Sequence, residues 1–283
     1  MSSHRPEHPL AMVRSGLPPG GDHPTFLLLH GYAGSRFSWR HWMAHLEARG
    51  SVVAVDLKGF GAAARPDDGA YGPHDQAALV HALIRREGLE RLTLVGHSLG
   101  GGIALLAALR LRDGAAGGLG DSPLRRLVLL SAAAYPQKLP PLVHLSRWPG
   151  LSSAGMRLLG METIVRWTLR SIVHDPDGVT QEQVRGYAEP LEDETAQRAL
   201  VDVGARIVPP DLAAVTARYP EIDVPSLLLW GASDRVVPTS VGRQLHQALP
   251  DSRLEILDRC GHLPAEEHPE ASWARVAAFL DAT

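Results

Sequence analysis

Short apolar runs recur along the chain, and most are followed by a segment of helix length. Six runs are rich in leucine or β-branched residues and are bounded by glycine, aspartate or serine, at residues 25–29, 52–55, 92–95, 127–130, 226–230 and 254–257. They are apolar throughout, which is typical of strands covered on both faces. Helices fit beside them at residues 41–49, 74–87, 99–111, 240–249 and 267–280. This alternation predicts an α/β fold, with a mostly parallel central sheet flanked by helices.

The alternation stops between residues 135 and 220, where prolines are frequent and no convincing strand occurs. Helical spacing at residues 154–173 and 181–187 predicts a helical lid instead. Its apolar surface is expected to come from Leu158, Leu159, Met161, Ile164, Val165, Trp167 and Leu169. We therefore expect an α/β core at residues 25–134 and 221–283, interrupted by a lid at residues 135–220.

The remaining segments of the chain have weaker patterns. Residues 1–24 are short of apolar runs and rich in proline, so we expect them to be mobile or to supply one edge strand at residues 10–14. The glycine-rich residues 113–122 predict a flexible loop between a helix and the next strand.

Composition narrows the class of protein. The 283 residues are 45% hydrophobic and 21% charged, as in ordinary globular proteins. The net charge of -3 gives no electrostatic reason to expect nucleic acid or an anionic membrane as a partner. The longest purely apolar run, residues 103–109, is much shorter than the ~20 residues of a membrane span. Because the start of the chain also lacks the pattern of a signal peptide, we expect a cytoplasmic protein.

Neither a metal nor a cofactor is predicted. Cys260 is the only cysteine, which excludes an internal disulfide and a cysteine-cluster metal site, and we interpret it as a small buried residue. His41 and His45 have i, i+4 spacing, but the glutamate of the metalloprotease motif is missing between them. The glycines around Ser98 do not form a dinucleotide-binding motif.

The strongest chemical signal is the sequence Gly-His-Ser-Leu-Gly at residues 96–100, between a predicted strand and a predicted helix. In this G-x-S-x-G context a sharp turn exposes the serine hydroxyl above the sheet. A serine nucleophile needs a base, and the base needs an orienting acid. Asp234 and His262 each follow a predicted parallel strand, so both belong to the same sheet edge as Ser98. The sequence predicts a Ser98, His262, Asp234 triad.

The loop after the first strong strand, residues 30–34, completes the predicted site. Acyl transfer produces an oxyanion, which backbone N–H groups commonly stabilise. We expect these groups to come from Leu99, after the nucleophile, and from Tyr32 in the loop. His97 adjoins Ser98 on a sharp turn that points the two side chains apart, so we expect it to line the pocket.

These motifs resemble the α/β-hydrolase superfamily, specifically its lidded members with a serine nucleophile. The resemblance covers nearly the whole chain and rests on residues 30–35, 56–61, 96–101, 231–238 and 261–270. It implies that Ser98 is the nucleophile, His262 the general base and Asp234 its partner, without a cofactor. Only one glycine follows His30, unlike in the lipases of the HGGG type. The serine at position 98 disfavours the branches that use a carboxylate nucleophile.

Several functions are compatible with these residues. The first hypothesis is a serine hydrolase that cleaves a carboxylic ester of a small to medium apolar substrate through an acyl-enzyme. The same triad would serve a hydrolase of carbon–carbon bonds in vinylogous diketones, a thioesterase or a lactonase. A non-catalytic ligand receptor on the same fold is the hypothesis from another class. The sequence fits a monomer and a homodimer equally.

Overall fold

A computed structural model describes residues 9–118, 121–137 and 159–283. Within this part, seven strands form one sheet in the order β1-β3-β2-β4-β5-β6-β7. Their bounds are β1 Ala11–Gly16, β2 Thr25–Leu29, β3 Ser51–Asp56, β4 Leu92–His97, β5 Leu124–Leu130, β6 Ser226–Gly231 and β7 Ser252–Leu257. β1 pairs antiparallel with β3, and all other neighbouring strands are parallel. This is the α/β fold that the sequence predicts.

The described α-helices cover both faces of the sheet or lie between β5 and β6. Their bounds are α1 Met43–Glu47, α2 Pro73–Arg86, α3 Leu99–Ala116, α4 Met161–Ile172, α5 Gln181–Ala188, α6 Glu194–Ala205, α7 Leu212–Ala217, α8 Thr239–Ala248, α9 Pro264–Glu267 and α10 Pro269–Ala282. Short 3₁₀ turns occupy Arg36–Trp39, Pro176–Gly178, Glu189–Leu191 and Tyr219–Glu221.

Each face of the sheet buries its own apolar core, which explains why the strand sequences do not alternate. In β2, Leu27 and Leu29 face the core formed with α2, α3 and α8, whereas Phe26 and Leu28 face the core formed with α1 and α10. Successive strand side chains point to opposite faces, so a strand covered on both sides must be apolar at every position. All four of these side chains are fully buried.

The sequence places every strand of the core, but four details are wrong. The edge strand is Ala11–Gly16 instead of residues 10–14, and helix 41–49 shrinks to Met43–Glu47. α3 continues through the first part of the predicted loop to Ala116, and residues 119–120 lie outside the described part. The predicted helix 267–280 is two helices that meet at His268, because Pro269 lacks the N–H that would continue α9.

β7 is also not covered on both faces. It is the last strand in the sheet order, and Arg253 is exposed while Leu257 is buried. An edge strand has a neighbouring strand on only one side, so it tolerates polar residues that a central strand cannot.

Between β5 and β6 the structure contains helices, as expected, but more than the sequence predicts. Residues 138–158, with Leu158 and the first part of the predicted helix 154–173, lie outside the described residues. The helix is described from Met161, and α6 and α7 were not predicted. Leu159 and Trp167 do not pack as expected: they are 60% and 61% exposed, because they lie away from the buried stripe of α4.

Candidate active site

Ser98 occupies a strained turn between β4 and α3. Its backbone angles are φ 52° and ψ -116°, in a region that non-glycine residues rarely adopt. The flanking glycines permit the turn: a Cβ atom on Gly96 would lie 2.8 Å from the carbonyl carbon of Gly100, and one on Gly100 would lie 2.7 Å from the carbonyl carbon of Leu29. The sequence pattern G-x-S-x-G is thus required by close backbone packing at this turn.

Asp234 and His262 are hydrogen-bonded to each other. His262 Nδ1 lies 2.9 Å from Asp234 Oδ2 and 3.1 Å from Oδ1, and both side chains are buried. Asp234 Oδ1 also accepts hydrogen bonds from the backbone N–H groups of Val236 and Val237, each at 2.9 Å. An Nδ1–H that donates to the carboxylate leaves Nε2 of the neutral ring free to accept a proton.

Opposing effects act on the Asp234 carboxyl. Its burial tends to raise its pKa, but the neighbouring His262 and the N–H of Val237 favour the ionised form and hold the pKa below its ordinary value. The carboxylate therefore stays charged beside His262, which fits an acid that orients the ring.

Ser98 and His262 line the same cavity, which has a free volume of about 90 Å³ and is partly open to solvent. The loop around Gly31 and Tyr32 forms one side of it. α4 supplies much of the remaining wall through apolar side chains, namely Met161, Ile164, Val165, Leu169 and Ile172. The predicted nucleophile and base thus share one mainly apolar cavity, and apolar lining is typical of small-molecule sites.

The predicted oxyanion-hole residues flank the nucleophile. Leu99 is the first residue of α3, and Tyr32 lines the cavity. The loop packs tightly against the turn, since a Cβ atom on Gly31 would lie 3.2 Å from Cβ of Ser98. The phenol of Tyr32 is engaged elsewhere, because it donates to the carbonyl of Leu200 at 2.8 Å. The phenol is therefore not available to the site. The role of the Tyr32 backbone N–H as an oxyanion-hole donor stays a prediction.

His30 stabilises the conformation of the loop at residues 30–34. Its Nε2 accepts from the backbone N–H of Leu57 at 3.0 Å, so Nδ1 carries the proton and donates to the carbonyl of Gly31 at 2.8 Å. Burial lowers the pKa of His30, and the hydrogen bond to Gly31 opposes this only in part. A neutral ring is required, since a doubly protonated one could not accept from Leu57.

His97 lines the cavity and supports the base, in line with its predicted pocket-lining position. Its Nε2 lies 2.8 Å from the carbonyl oxygen of His262, to which it donates. Burial and the neighbouring His262 lower the pKa of His97 to about 3. The ring is therefore neutral near pH 7, with its N–H committed to the His262 backbone.

A polar cluster that the sequence did not reveal borders the same cavity. The Tyr187 hydroxyl hydrogen-bonds to Ser38 Oγ at 3.0 Å and to the Glu266 carboxylate. Glu266 also accepts from Arg40 at 2.9 Å and from Gln183 at 2.7 Å. The cluster ties α5 to the core, and its members are too far apart in sequence for any local pattern to reveal it.

Cys260, His45 and His41 are the other residues that the sequence analysis singles out. Cys260 is buried, and burial, reinforced by the charges of Glu267 and Asp234, raises the pKa of its thiol. His45 stacks on Trp273 with 5.1 Å between ring centroids, while His41 precedes α1. Among the described residues, no group of three histidine, cysteine or acidic side chains is arranged to hold a metal ion. No described helix has the length and apolar character of a membrane span.

A mostly parallel sheet flanked by helices, with a serine at the turn from β4 into α3, defines an α/β hydrolase fold. The chain belongs to the alpha/beta hydrolase family, whose family model matches residues 26–276.

Several similar proteins are named as hydrolases or esterases, and the substrates in their names differ. An uncharacterized hydrolase, YugF of Bacillus subtilis, is 30% identical, with 90% of this chain and 89% of that protein covered. A 2-hydroxymuconate semialdehyde hydrolase of Pseudomonas putida is 27% identical, with 81% and 76% covered. A pimeloyl-[acyl-carrier protein] methyl ester esterase of Neisseria meningitidis is 29% identical, with 90% and 92% covered. The crystal structure of an alpha/beta hydrolase fold protein from Burkholderia ambifaria has a TM-score of 0.78 at 26% identity, with 94% and 93% covered.

Proposed function

We propose that the protein is a serine hydrolase that cleaves a carboxylic ester of a small to medium apolar substrate through an acyl-enzyme. One observation carries the proposal: the strained Ser98 and the Asp234-paired His262 line one apolar cavity. A buried carboxylate that orients a histidine near a serine on the wall of the same cavity is the arrangement that activates a weak alcohol nucleophile.

The proposed reaction proceeds in two halves. Ser98 Oγ attacks the ester carbonyl carbon while His262 Nε2 takes the hydroxyl proton, and the N–H groups of Leu99 and Tyr32 stabilise the oxyanion. Collapse of this intermediate breaks the bond to the alkoxide leaving group, which receives the proton from His262. Water then attacks the acyl-enzyme and gives a proton to His262. Collapse of this second intermediate breaks the bond to Ser98 Oγ, which takes the proton back from His262 as the acid is released. Asp234 orients the ring and stabilises its cationic form.

The cavity wall indicates the substrate class. α4 contributes aliphatic side chains, while Leu191 comes from the turn between α5 and α6 and Leu200 from α6 itself. These elements belong to residues 135–220, which we propose as the lid over the core. An apolar acyl group would be removed from water against this wall, with roughly 25 cal/mol gained per Å² buried.

The triad alone does not separate an ester from a thioester, a lactone or a carbon–carbon substrate, because each passes through nucleophilic attack or proton transfer at the same residues. The esterase of Neisseria meningitidis supports the ester, and the semialdehyde hydrolase of Pseudomonas putida supports the carbon–carbon alternative. A cytoplasmic location stays a prediction.

The test combines substrates with covalent labelling. We expect the wild-type protein to hydrolyse p-nitrophenyl butyrate, and we expect a fluorophosphonate to label it at Ser98. Ser98→Ala should lose both the hydrolysis and the labelling. Ser240→Ala, an exposed serine on α8, is the control and should keep them. Relative kcat/KM on a matched ester, thioester, lactone and dienoate then ranks the chemistries. A protein that binds a small ligand but is never labelled would be a receptor and would refute the proposal.

A further inference from the structure

The loop that carries His262 is held by the carboxylate of Glu267. Oε1 accepts from the backbone N–H groups of Gly261 and Leu263, each at 3.0 Å. Oε2 accepts from the same N–H of Gly261 at 2.9 Å and from the backbone N–H of His174 at 2.7 Å. The residues immediately before and after His262 are thus bonded to one side chain, which also reaches outside the loop.

His174 belongs to the segment that follows α4, and this segment contacts both loops of the triad. The carbonyl of Ile172, the last residue of α4, accepts from the backbone N–H of His262 at 2.9 Å. His174 Nδ1 lies 2.8 Å from the hydroxyl of Ser233, which directly precedes Asp234. The contact is close, since a Cβ atom on Gly261 would lie 2.7 Å from the backbone nitrogen of His174.

α4 is also the helix that supplies most of the apolar cavity wall. The wall and the His262 loop are therefore connected by two hydrogen bonds, from His262 to Ile172 and from His174 to Glu267. Movement of α4 away from the cavity would have to break both bonds or take the His262 backbone with it.

We infer that Glu267 is a positioning residue, which fixes His262 relative to Ser98 and couples the base to the α4 wall of the substrate cavity. The inference rests on the proposed function, because it assigns Glu267 a role in placing the proposed base. A base displaced by about 1 Å can lose roughly 100-fold in rate even when every reacting group is present.

The pattern of donors requires a carboxylate at this position. Each oxygen accepts from two N–H groups, whereas a glutamine has one oxygen and one NH₂ group. In one orientation the NH₂ of Glu267→Gln would face the N–H of Leu263, and in the other it would face the N–H of His174. The variant keeps the size of the side chain, but it must lose a hydrogen bond either to the His262 loop or to the segment that follows α4.

The principal test compares Glu267→Gln with Glu270→Gln, a nearby exposed glutamate whose carboxylate approaches His45 at 3.6 Å. We expect Glu267→Gln to lower kcat for p-nitrophenyl butyrate by about 10- to 100-fold with a smaller change in KM, and to slow fluorophosphonate labelling of Ser98 similarly. Glu270→Gln should match the wild type in both. If Glu267→Gln only lowers the melting temperature and is labelled at the wild-type rate, the residue is merely structural and the inference is wrong.

A second variant disturbs the same contact with Glu267 intact and decides the outcome if Glu267→Gln does not fold. Gly261→Ala would push the His262 loop away from the end of α4, so labelling should slow as in Glu267→Gln. Its control is Gly178→Ala, where the added Cβ atom would lie 3.9 Å from Oδ2 of Asp175, an ordinary van der Waals distance. Wild-type labelling in folded Gly261→Ala would overturn the coupling. Absence of labelling in the wild type would instead refute the proposed function itself.

Discussion

His97 makes the folding stability depend on pH in a way that can be isolated by one substitution. Burial and the neighbouring His262 lower its pKa from 6.5 to about 3. Between these values the ring is neutral in the folded protein and protonated in the unfolded chain. The unfolded state then binds more protons, so the free energy of unfolding falls as the pH is lowered through this window.

The size of the effect follows from the two pKa values. Each pH unit below 6.5 costs ~1.4 kcal/mol until the folded-state pKa of about 3 is approached. Lowering the pH from 7 to 5 therefore removes about 2 kcal/mol through His97 alone. His30 acts in the same direction, because burial lowers its pKa too.

The variant of choice is His97→Gln, since the glutamine NH₂ can replace the Nε2–H that donates to the His262 carbonyl. We expect its free energy of unfolding in urea to fall by about 2 kcal/mol less than that of the wild type between pH 7 and pH 5. His246→Gln, at an exposed position on α8, should parallel the wild type. If the His97→Gln and wild-type curves are parallel over this range, His97 is not held neutral and the reasoning fails.

Three further outcomes are expected. Asp234→Asn should lower kcat by ~10³–10⁴-fold while the protein stays folded, because the amide no longer enforces the Nδ1–H form of His262; a loss below tenfold would contradict the orienting role. Gly100→Ala should lower the free energy of unfolding by about 3 kcal/mol or more, since its Cβ would overlap the backbone of Leu29, and urea melts beside Gly178→Ala check this. Cys260 should react with a disulfide reagent only after unfolding, because burial raises its thiol pKa and limits access; rapid reaction of the native protein would disprove it.

The fold was largely predictable because the sequence of each central strand reflects whether its two faces are covered. The runs at β2, β4 and β6 are apolar at nearly every position, with Thr25, Thr93 and Ser226 as buried exceptions, since both faces of these strands are covered. That pattern needs no knowledge of distant residues. Helix ends were less predictable: α3 runs into a glycine-rich segment where propensity favours a loop, and α6 lies in a proline-rich region without a strong apolar run. In α3 tertiary contacts outweigh local preference. In α6 local preference favours the helix, because Asp193 caps it and its buried apolar residues have helical spacing, so that helix could have been predicted.

The residues of the candidate site also differ in how well the local sequence predicts them. Ser98, Asp234 and His262 could be placed from sequence because each directly follows a recognisable strand, and the ends of parallel strands meet at one edge. Glu267 lies within residues 261–270, which carry the family resemblance, but the sequence assigns it no role. Its carboxylate binds backbone N–H groups, and every residue except proline offers the same N–H. Its partner His174 lies 93 positions earlier in the chain. The residues proposed to react can thus be found by their chemical types. The role proposed for Glu267 instead depends on which backbone groups the fold brings within its reach.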